Sequence, residues 1–258
     1  MCELLGLNFK LPASPSFSFR GFRHRSEGNP HGWGIARYEG NACQIFKEAV
    51  DAQESKLAEF VRDYDLFRSK IFVGHVRDAT RGNHNLENTH PFKRVFRSQE
   101  VILAHNGTME YLPLEKEDMS FLPVGETDSE HLFCALLTLM SADQIQFTDY
   151  PQIEGILQQF NKLGKMNLLF SEGDELFAYR DKEGHNGLCM TERISPFGVK
   201  SLKDEDWEID LAAEKSPGQR GFVIASHPLT KNETWTDLIP GSLIVLKEGD
   251  VVYGSLSQ

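Results

Sequence analysis

The sequence predicts an α+β fold in which packed antiparallel sheets are covered by helices. Short strand signals outnumber helical ones along the whole chain, and tight turns join several of them, which is typical of antiparallel pairs. Only three segments have the 3.6-residue periodicity of an amphipathic helix. The chain has 258 residues, of which 40% are hydrophobic, so it can bury a full core. Because no linker or internal repeat divides it, we expect one domain over residues 1–258.

The predicted strands are short and follow one another closely. Residues 33–38 and 42–47 flank Glu39-Gly40-Asn41, which is typical of a hairpin loop. The turn Glu248-Gly249-Asp250 separates the last two strands of the chain. Further strands are predicted at 71–77, 101–105, 166–170, 175–180, 187–191, 221–226, 242–247 and 251–253.

Three helices are predicted from hydrophobic periodicity, over residues 54–67, about 128–140 and 152–163. The segment Thr127-Asp128-Ser129-Glu130 precedes the second of these and matches a capping box, in which the Thr127 side chain caps the helix N-terminus. The predicted apolar face of the first helix consists of Leu57, Phe60, Val61, Tyr64 and Phe67, and that of the third of Ile153, Ile156, Leu157, Phe160 and Leu163.

Composition and charge exclude several classes of function. The formal net charge of −11 argues against nonspecific nucleic-acid binding, which needs clustered basic residues. No apolar run approaches the roughly 18 residues that cross a bilayer, and no secretory signal is present, so we expect a cytoplasmic protein without membrane contact. The nine histidines and four cysteines form no metal-ligand pattern, so we predict neither metal nor cofactor. Cys43, Cys134 and Cys189 lie among apolar neighbours and are predicted to be buried thiols.

The segment Met1-Cys2-Glu3-Leu4-Leu5-Gly6 contains a candidate nucleophile. Removal of Met1 would leave Cys2 with a thiol and a free α-amino group. An α-amino group has an unperturbed pKa of about 7.7–8.0, so it can accept the thiol proton near neutral pH. Such N-terminal nucleophiles are an established type of catalyst. The simpler interpretation is that Cys2 is a small apolar residue of a first strand.

Two strand ends carry polar residues that could bind a substrate. Arg77 ends the apolar run that begins at residue 71, and it either pairs with an acid on a neighbouring strand or grips a carboxylate with two parallel hydrogen bonds. Asn106-Gly107 follows the strand 101–105 and is typical of a type I′ hairpin turn. Alternatively, the Asn106 amide and the Gly107 N–H point at one spot and stabilise an oxyanion.

Asp128 places a carboxylate at the start of the second predicted helix. The helix dipole stabilises an acid in the first turn, which is a sufficient structural reason for its presence. An acid fixed there could also bind an ammonium group. If Arg77 holds a carboxylate and Asp128 an amine, the two residues would recognise the zwitterionic end of an α-amino acid.

These segments, in this order, resemble the motifs of the class II glutamine amidotransferases, which are N-terminal nucleophile hydrolases. The resemblance covers nearly the whole chain and is closest to the short, stand-alone YafJ-type members. The matching segments are Met1-Cys2-Glu3-Leu4-Leu5-Gly6, Gly74-His75-Val76-Arg77-Asp78-Ala79-Thr80, Glu87-Asn88-Thr89-His90-Pro91-Phe92, His105-Asn106-Gly107, Pro123-Val124-Gly125-Glu126-Thr127-Asp128 with Ser129-Glu130, and Asn232-Glu233-Thr234-Trp235.

The resemblance implies a four-layer αββα sandwich, in which two antiparallel sheets lie between two layers of helices. It also implies roles for seven residues: Cys2 as the nucleophile, Asn106 and Gly107 as the oxyanion hole, Arg77 and Asp128 as ligands of the α-carboxylate and α-amino groups of glutamine, and Thr80 and His75 as residues that shape the substrate pocket.

The chain departs from the family pattern near the first hairpin. Family members commonly carry an aspartate before the glycine at the position where this chain has His31-Gly32. The departure weakens the transfer of a role to Arg25, which could still help to close the pocket.

The reaction implied by the resemblance is hydrolysis of the glutamine side-chain amide through a γ-glutamyl thioester on Cys2, with release of ammonia and glutamate. The chain has no room for a synthase module, so the ammonia would be released or passed to a partner subunit. Two alternatives stay open. The same site could hydrolyse a γ-glutamyl amide of a larger metabolite, as in the ergothioneine-pathway relatives, or the chain could be a catalytically silent amino-acid- or partner-binding module that keeps Met1.

Overall fold

A computed structural model describes residues 2–79, 82–214 and 216–255 of the chain. Its strands form two large sheets and one small one. In chain order the strands are β1 (Glu3–Ala13), β2 (Trp33–Glu39), β3 (Ala42–Glu48), β4 (Ser69–Val76), β5 (Phe92–Phe96), β6 (Gln99–Met109), β7 (Gly164–Ser171), β8 (Leu176–Tyr179), β9 (Cys189–Ile194), β10 (Val199–Ser201), β11 (Glu208–Asp210), β12 (Arg220–Ala225), β13 (Thr236–Asp237), β14 (Leu243–Lys247) and β15 (Asp250–Tyr253).

The first large sheet has the strand order β13-β9-β12-β1-β4-β2-β3, and the second has the order β15-β14-β8-β7-β6-β5. Neighbouring strands in both sheets are antiparallel. Strands β10 and β11 pair separately. The central strand β1 of the first sheet therefore has β12 on one side and β4 on the other.

Helices cover the outer faces of the two large sheets. The helices are α1 (Ser16–Arg23), α2 (Lys56–Asp63), α3 (Asp128–Ala142), α4 (Tyr150–Phe160) and α5 (Leu211–Glu214), with short 3₁₀ turns at His24–Ser26 and Lys116–Asp118. Helices α1 and α2 pack on the first sheet in one apolar cluster, and α3 and α4 pack on the second sheet in another. A third cluster fills the space between the sheets. The layers confirm the predicted αββα sandwich.

Strand β1 shows how the sequence produces this layering. Successive side chains of a strand point to opposite faces. Leu4 accordingly belongs to the cluster between the sheets, whereas Leu5 and Leu7 belong to the cluster under α1 and α2. Because helices bury one face and the second sheet buries the other, the strand is apolar at consecutive positions, as is usual for strands buried on both faces.

Of the two hydrogen bonds of the predicted capping box, the start of α3 has the one that the Thr127 side chain accepts. The Thr127 hydroxyl accepts a hydrogen bond from the Glu130 N–H at 3.2 Å, as a capping residue does. The Glu130 carboxylate accepts from the Gly125 N–H at 2.6 Å, so the preceding loop takes the place of the reciprocal bond. This contact fixes the loop that leads into α3.

Most predicted elements are present, and two expectations are wrong. The first predicted helix ends at Asp63, and its buried side is formed by Ala58 and Val61, while Phe60 is 51% exposed and stacks on Tyr64 with 5.1 Å between ring centroids. Asn106-Gly107 is not a hairpin turn, because β6 runs through it to Met109. The sequence did not define the bounds of β1, and it did not predict α1, α5, β5, β10, β11 or β13.

Candidate active site

Strand β1 places Cys2 at the end of the space between the sheets. Leu4 pairs with His75 of β4, and its side chain faces the second sheet. Cys2 precedes Leu4 by two positions, so strand alternation directs its side chain to the same face. Cys2 is partly exposed, whereas Cys43, Cys134 and Cys189 are buried free thiols, as predicted.

The Cys2 thiol contacts the backbone that follows β4. Its Sγ accepts a hydrogen bond from the Asp78 N–H at 3.1 Å and donates to the Asp78 carbonyl at 3.2 Å. Burial raises the pKa of the Cys2 thiol to about 11, although the bond from the Asp78 N–H opposes the increase. The thiol is therefore protonated at neutral pH, and it needs a base before it can act as a nucleophile.

Two asparagine side chains hold the Cys2 backbone carbonyl. The Asn106 amide donates to it at 2.6 Å and the Asn186 amide at 2.8 Å. A longer contact of 3.4 Å joins the Asn106 amide to the hydroxyl of Ser226, and this hydroxyl also accepts from the Leu4 N–H at 3.0 Å. Residues from β6, from the β8–β9 loop and from the end of β12 thus fix the position of Cys2.

The loop between β8 and β9 is built around Asp181. Its carboxylate accepts from the N–H groups of Glu183 at 2.9 Å and His185 at 3.2 Å, and from Met166 N–H and the Asn161 amide at 2.8 Å each. Burial opposes ionisation of Asp181, but these hydrogen bonds hold its pKa below the ordinary value. The result is a fixed loop that presents His185 and Asn186 to Cys2.

A cavity of about 350 Å³ opens beside Cys2. His185 lines this cavity. Burial lowers the pKa of the His185 side chain, and the charge of Lys165 lowers it further. Gly107 lies where β6 and β7 meet, and a Cβ atom there would stand 2.0 Å from the Lys165 carbonyl oxygen, so the position requires glycine. The cavity is lined by Cys2, Asp78, Asn106, Gly107, Thr108, Glu110, Lys165 and His185.

Arg77 follows β4 next to Cys2 but does not line this cavity. Its side chain is buried, and the guanidinium donates to the carbonyls of Asn83 at 3.0 Å and Gly82 at 3.4 Å. Burial lowers the pKa of Arg77, and the proximity of Cys2 opposes the decrease. The guanidinium is thus directed at the loop that leads to β5.

Asp128 lies at the N-terminus of α3, also outside the Cys2 cavity. Its carboxylate accepts from the Met109 N–H at 2.7 Å and from the Ser129 N–H at 3.1 Å. It lines a neighbouring cavity of about 240 Å³ together with Thr127 and His131. The structure therefore brings Cys2, Asn106 and Gly107 into one cavity, and the roles of Arg77 and Asp128 stay predictions.

His75 is completely buried behind Cys2, with 4.1 Å between the centroids of its ring and that of His90. Burial lowers the pKa of His75 to about 3, and the charges of His105 and Arg77 act in the same direction. A neutral ring at this position can shape the site by packing. Thr80, the other residue predicted to shape the pocket, lies outside the described residues.

His31, which stands where family members commonly have an aspartate, contacts the segment that follows β4. The His31 ring accepts from the Ala79 N–H at 2.9 Å, so it supports the segment after β4 that contacts Cys2. Arg25 binds Asp204 at 2.7 Å and the Pro228 carbonyl at 2.9 Å. It lines a polar cavity of about 410 Å³, and Asn186, which binds the Cys2 carbonyl, lines that cavity too. A role of Arg25 in closing the nucleophile's pocket stays a prediction.

The sequence did not predict that the β8–β9 loop and β7 contribute residues to the site at Cys2. A signal for the loop existed, because the tripeptide His-Asn-Gly occurs twice, at 105–107 and at 185–187. Both asparagines donate to the same Cys2 carbonyl. No local pattern distinguished Lys165 or Glu110 from ordinary surface charges.

Within residues 2–79, 82–214 and 216–255, no group of three or more His, Cys, Asp or Glu side chains is arranged to hold a metal ion. In the same part of the chain, each helix is too short or too polar to span a membrane.

Comparison with known proteins gives a consistent family. The sequence profile of the class II glutamine amidotransferases matches residues 1–258. An uncharacterized protein of Methanocaldococcus jannaschii is 41% identical over 260 residues, which cover 99% of this chain and 72% of the relative. The YafJ protein of Escherichia coli K12, named as a glutamine amidotransferase, is 39% identical over 250 residues, which cover 93% and 95% of the two chains.

A solved structure has the same fold along the whole chain. The crystal structure of a predicted glutamine amidotransferase from Pseudomonas aeruginosa superposes with a TM-score of 0.73 at 29% identity, covering 98% of this chain and all of the other. The family profile, the similarity to YafJ and the shared fold point to the same family. The chain therefore belongs to the class II glutamine amidotransferase family.

Proposed function

We propose that the protein hydrolyses the side-chain amide of glutamine, with Cys2 as an N-terminal nucleophile after removal of Met1. The observation that supports this most directly is the position of the Cys2 thiol at an open cavity while two asparagines fix its backbone. A nucleophile held in one geometry meets its substrate with little loss of entropy in the reaction itself.

The free α-amino group of Cys2 acts as the base in this proposal. It accepts the proton of the thiol, whose raised pKa makes such a base necessary at neutral pH. The thiolate attacks the side-chain carbonyl carbon of glutamine, and the C–N bond breaks as the nitrogen takes the proton and leaves as ammonia. Water then attacks the γ-glutamyl thioester, which breaks the C–S bond, restores the thiol and releases glutamate.

The Asn106 amide is suited to stabilise the oxyanion that forms during both attacks. Its bond of 2.6 Å to the Cys2 carbonyl is strong, whereas its contact of 3.4 Å to Ser226 is weak and is the one that an oxyanion could replace. Gly107 follows directly and allows close approach of the substrate, because it carries no side chain. Donors placed in advance at such a position stabilise developing charge effectively.

Binding of the α-carboxylate and α-amino groups of glutamine is assigned to Arg77 and Asp128. The Arg77 guanidinium donates to loop carbonyls in this structure, so a bound carboxylate would replace a neutral partner with a charged one. The Asp128 carboxylate would bind the ammonium group while the Met109 N–H keeps it oriented. Thr80 and His75 complete the assignment as residues that shape this part of the pocket.

The same proposal includes the location of the protein and the fate of the ammonia. The chain acts as a single domain in the cytoplasm on a small molecule, and the ammonia is released or taken up by a partner synthase subunit. The reaction as written uses side-chain and backbone groups of this chain together with water, so no step in it requires a cofactor.

Intact-mass measurement with 6-diazo-5-oxo-norleucine, an electrophile that mimics glutamine, tests the proposal. Wild-type protein is expected to lack the mass of Met1 and to gain one covalent adduct, which Cys2→Ala prevents. Cys43→Ala is the matched control, because Cys43 is buried and its substitution is expected to leave labelling intact. Retention of Met1 together with the absence of an adduct would refute the proposal and favour the silent binding module.

A further inference from the structure

The His185 side chain lines the same cavity of about 350 Å³ as Cys2. It is half-buried, and no described residue forms a hydrogen bond with its ring. One ring nitrogen of a neutral imidazole carries a lone pair that can accept a proton. Hydrolysis of the γ-glutamyl thioester calls for such an acceptor, because water becomes a good nucleophile only as it loses a proton. His185 therefore places a candidate base in the space that the water must enter.

The backbone on both sides of the His185 ring is held in place. The His185 N–H donates to the Asp181 carboxylate at 3.2 Å, and the His185 carbonyl accepts from the Asn167 amide at 2.6 Å. The next residue, Asn186, donates to the Cys2 carbonyl at 2.8 Å. These contacts fix the position from which the ring extends relative to Cys2, while the ring itself stays available to a water molecule.

The surroundings of His185 keep its ring in the neutral form. Burial lowers the pKa of His185 and the charge of Lys165 lowers it further, while Asp181 acts in the opposite direction. The ring is therefore mostly neutral at pH 7. An α-amino group with its ordinary pKa of about 7.7–8.0 is mostly protonated at that pH. Of these two bases, His185 is the one that is available in most molecules at neutral pH.

The other ionisable side chains that line the cavity are less suited to this step. Lys165, as an ammonium, can only donate hydrogen bonds. The Asp78 carboxylate lies 3.4 Å from the His31 ring. Glu110 is exposed, and a carboxylate is a weaker base than an imidazole. The chemistry of His185 matches the activation of water near neutral pH better than that of these three side chains.

We propose that His185 is a further catalytic residue, which takes a proton from the water that cleaves the γ-glutamyl thioester. The water oxygen forms a bond to the γ-carbonyl carbon as its proton passes to the free ring nitrogen. The C–S bond then breaks, and the protonated ring returns its proton to the departing Cys2 sulfur, which releases glutamate and restores the thiol. The α-amino group of Cys2 stays the base of the first step, and the inference rests on the proposed function because it uses the same thioester.

The kinetics of His185→Gln with glutamine test this inference. The substitution breaks no hydrogen bond of the ring to a described residue, so the loop is expected to fold as in wild type. The variant is expected to release one equivalent of ammonia per active site in a burst and then to accumulate the thioester, which intact mass detects after acid quenching as one added γ-glutamyl group. General-base catalysis contributes about 10²–10⁴ in rate, so glutamate release should fall at least about 100-fold.

Hydroxylamine separates a catalytic role of the ring from a structural one. It attacks a thioester without the help of a base, so it is expected to restore turnover of His185→Gln by forming γ-glutamyl hydroxamate. His24→Gln is the matched control, because His24 is also a partly exposed histidine, pairs with Glu205 at 3.0 Å and does not line the Cys2 cavity. This control is expected to keep wild-type turnover and to accumulate no thioester. If His185→Gln does not unfold cooperatively in urea, His185→Asn takes its place.

The outcomes separate this inference from the proposed function. Wild-type rates of glutamate release in His185→Gln would overturn the inference and assign the activation of water to the α-amino group. Equal losses of the ammonia burst and of turnover, without rescue by hydroxylamine, would also overturn it, since the ring would then act before the thioester forms. In both cases the wild-type protein still hydrolyses glutamine, and the proposed function stands. Failure of the wild-type protein to release ammonia from glutamine would overturn both.

Discussion

Asn106 and Asn186 bind the same Cys2 carbonyl, yet only Asn106 is proposed to bind the oxyanion. Substituting each residue separately therefore separates positioning from catalysis. We compare Asn106→Ala with Asn186→Gly, because Asn186 has a φ of 50°, which glycine adopts without steric cost. Each substitution leaves the Cys2 carbonyl with one amide donor, so neither leaves it unpaired.

The two substitutions should cost similar stability and different activity. Each removes a bond of 2.6 or 2.8 Å to the carbonyl, which is worth about 0.5–1.5 kcal/mol, and urea denaturation measures this loss. Loss of an oxyanion donor typically lowers kcat by about 10²–10³, so Asn106→Ala should show this decrease in glutamate release. Asn186→Gly should lose less than about tenfold, which corresponds to under about 1.4 kcal/mol in the barrier.

Equal losses of kcat in the two variants would refute this reasoning. That result would mean that Asn106 acts only by holding Cys2, and that the oxyanion is stabilised elsewhere. A variant that no longer unfolds cooperatively in urea is excluded from the comparison, and Asn106→Asp, which keeps the size of the side chain, then takes its place.

Two further predictions follow from the surrounding residues. Arg77→Lys should raise KM for glutamine by roughly 10–100-fold, because an ammonium cannot reproduce a bidentate bond to a carboxylate; unchanged steady-state kinetics would contradict the assignment. Burial lowers the pKa of His75 to about 3 and holds that of His90 well below its usual range. The unfolded chain therefore binds more protons than the folded protein below about pH 6, so the free energy of unfolding falls as the pH is lowered, by about 1.4 kcal/mol per pH unit for each histidine. His90→Gln should reduce the pH dependence of the unfolding free energy between pH 6 and pH 5, as measured by urea denaturation. Burial raises the pKa of Glu172 to about 8, which opposes this dependence, but the contribution of Glu172 is the same in wild type and variant and cancels when the two are compared. An identical pH dependence in both proteins would show that His90 does not titrate on unfolding.

The elements that sequence reasoning missed have particular causes. In α1, the segment Phe17-Ser18-Phe19 alternates like a strand, and the helix lacks a side-chain N-cap, since Pro15 occupies that position. Its helical conformation depends on packing of Phe19 and Phe22 against the first sheet. Strand β5 lies at a sheet edge, and Lys93 and Arg94 interrupt its apolar residues, so its sequence lacks the pattern of a buried strand.

The outward position of Phe60 has a similar explanation. Periodicity identifies which residues could share a face, but it does not show which face the sheet covers. In α2 the sheet covers Ala58 and Val61, and Phe60 packs against Tyr64 on the outside instead. The helix itself was predictable because Ser55 caps it, accepting from the Ala58 N–H at 2.9 Å.

The sequence by itself determined the local features of this protein. The apolar runs specify the buried strands, Thr127 specifies the start of α3, and the position of Cys2 in the chain specifies a candidate N-terminal nucleophile. Each of these depends on residues that are neighbours in sequence, where spacing and residue type are sufficient evidence.

Only the tertiary structure decided what surrounds Cys2. The Asn186 amide reaches the Cys2 carbonyl from 184 positions away, and Lys165 enters the cavity because β7 pairs with β6 in one particular register. The structure likewise directed Arg77 at the loop before β5. These contacts depend on sheet order and register, which arise from burial of the whole core rather than from any short segment.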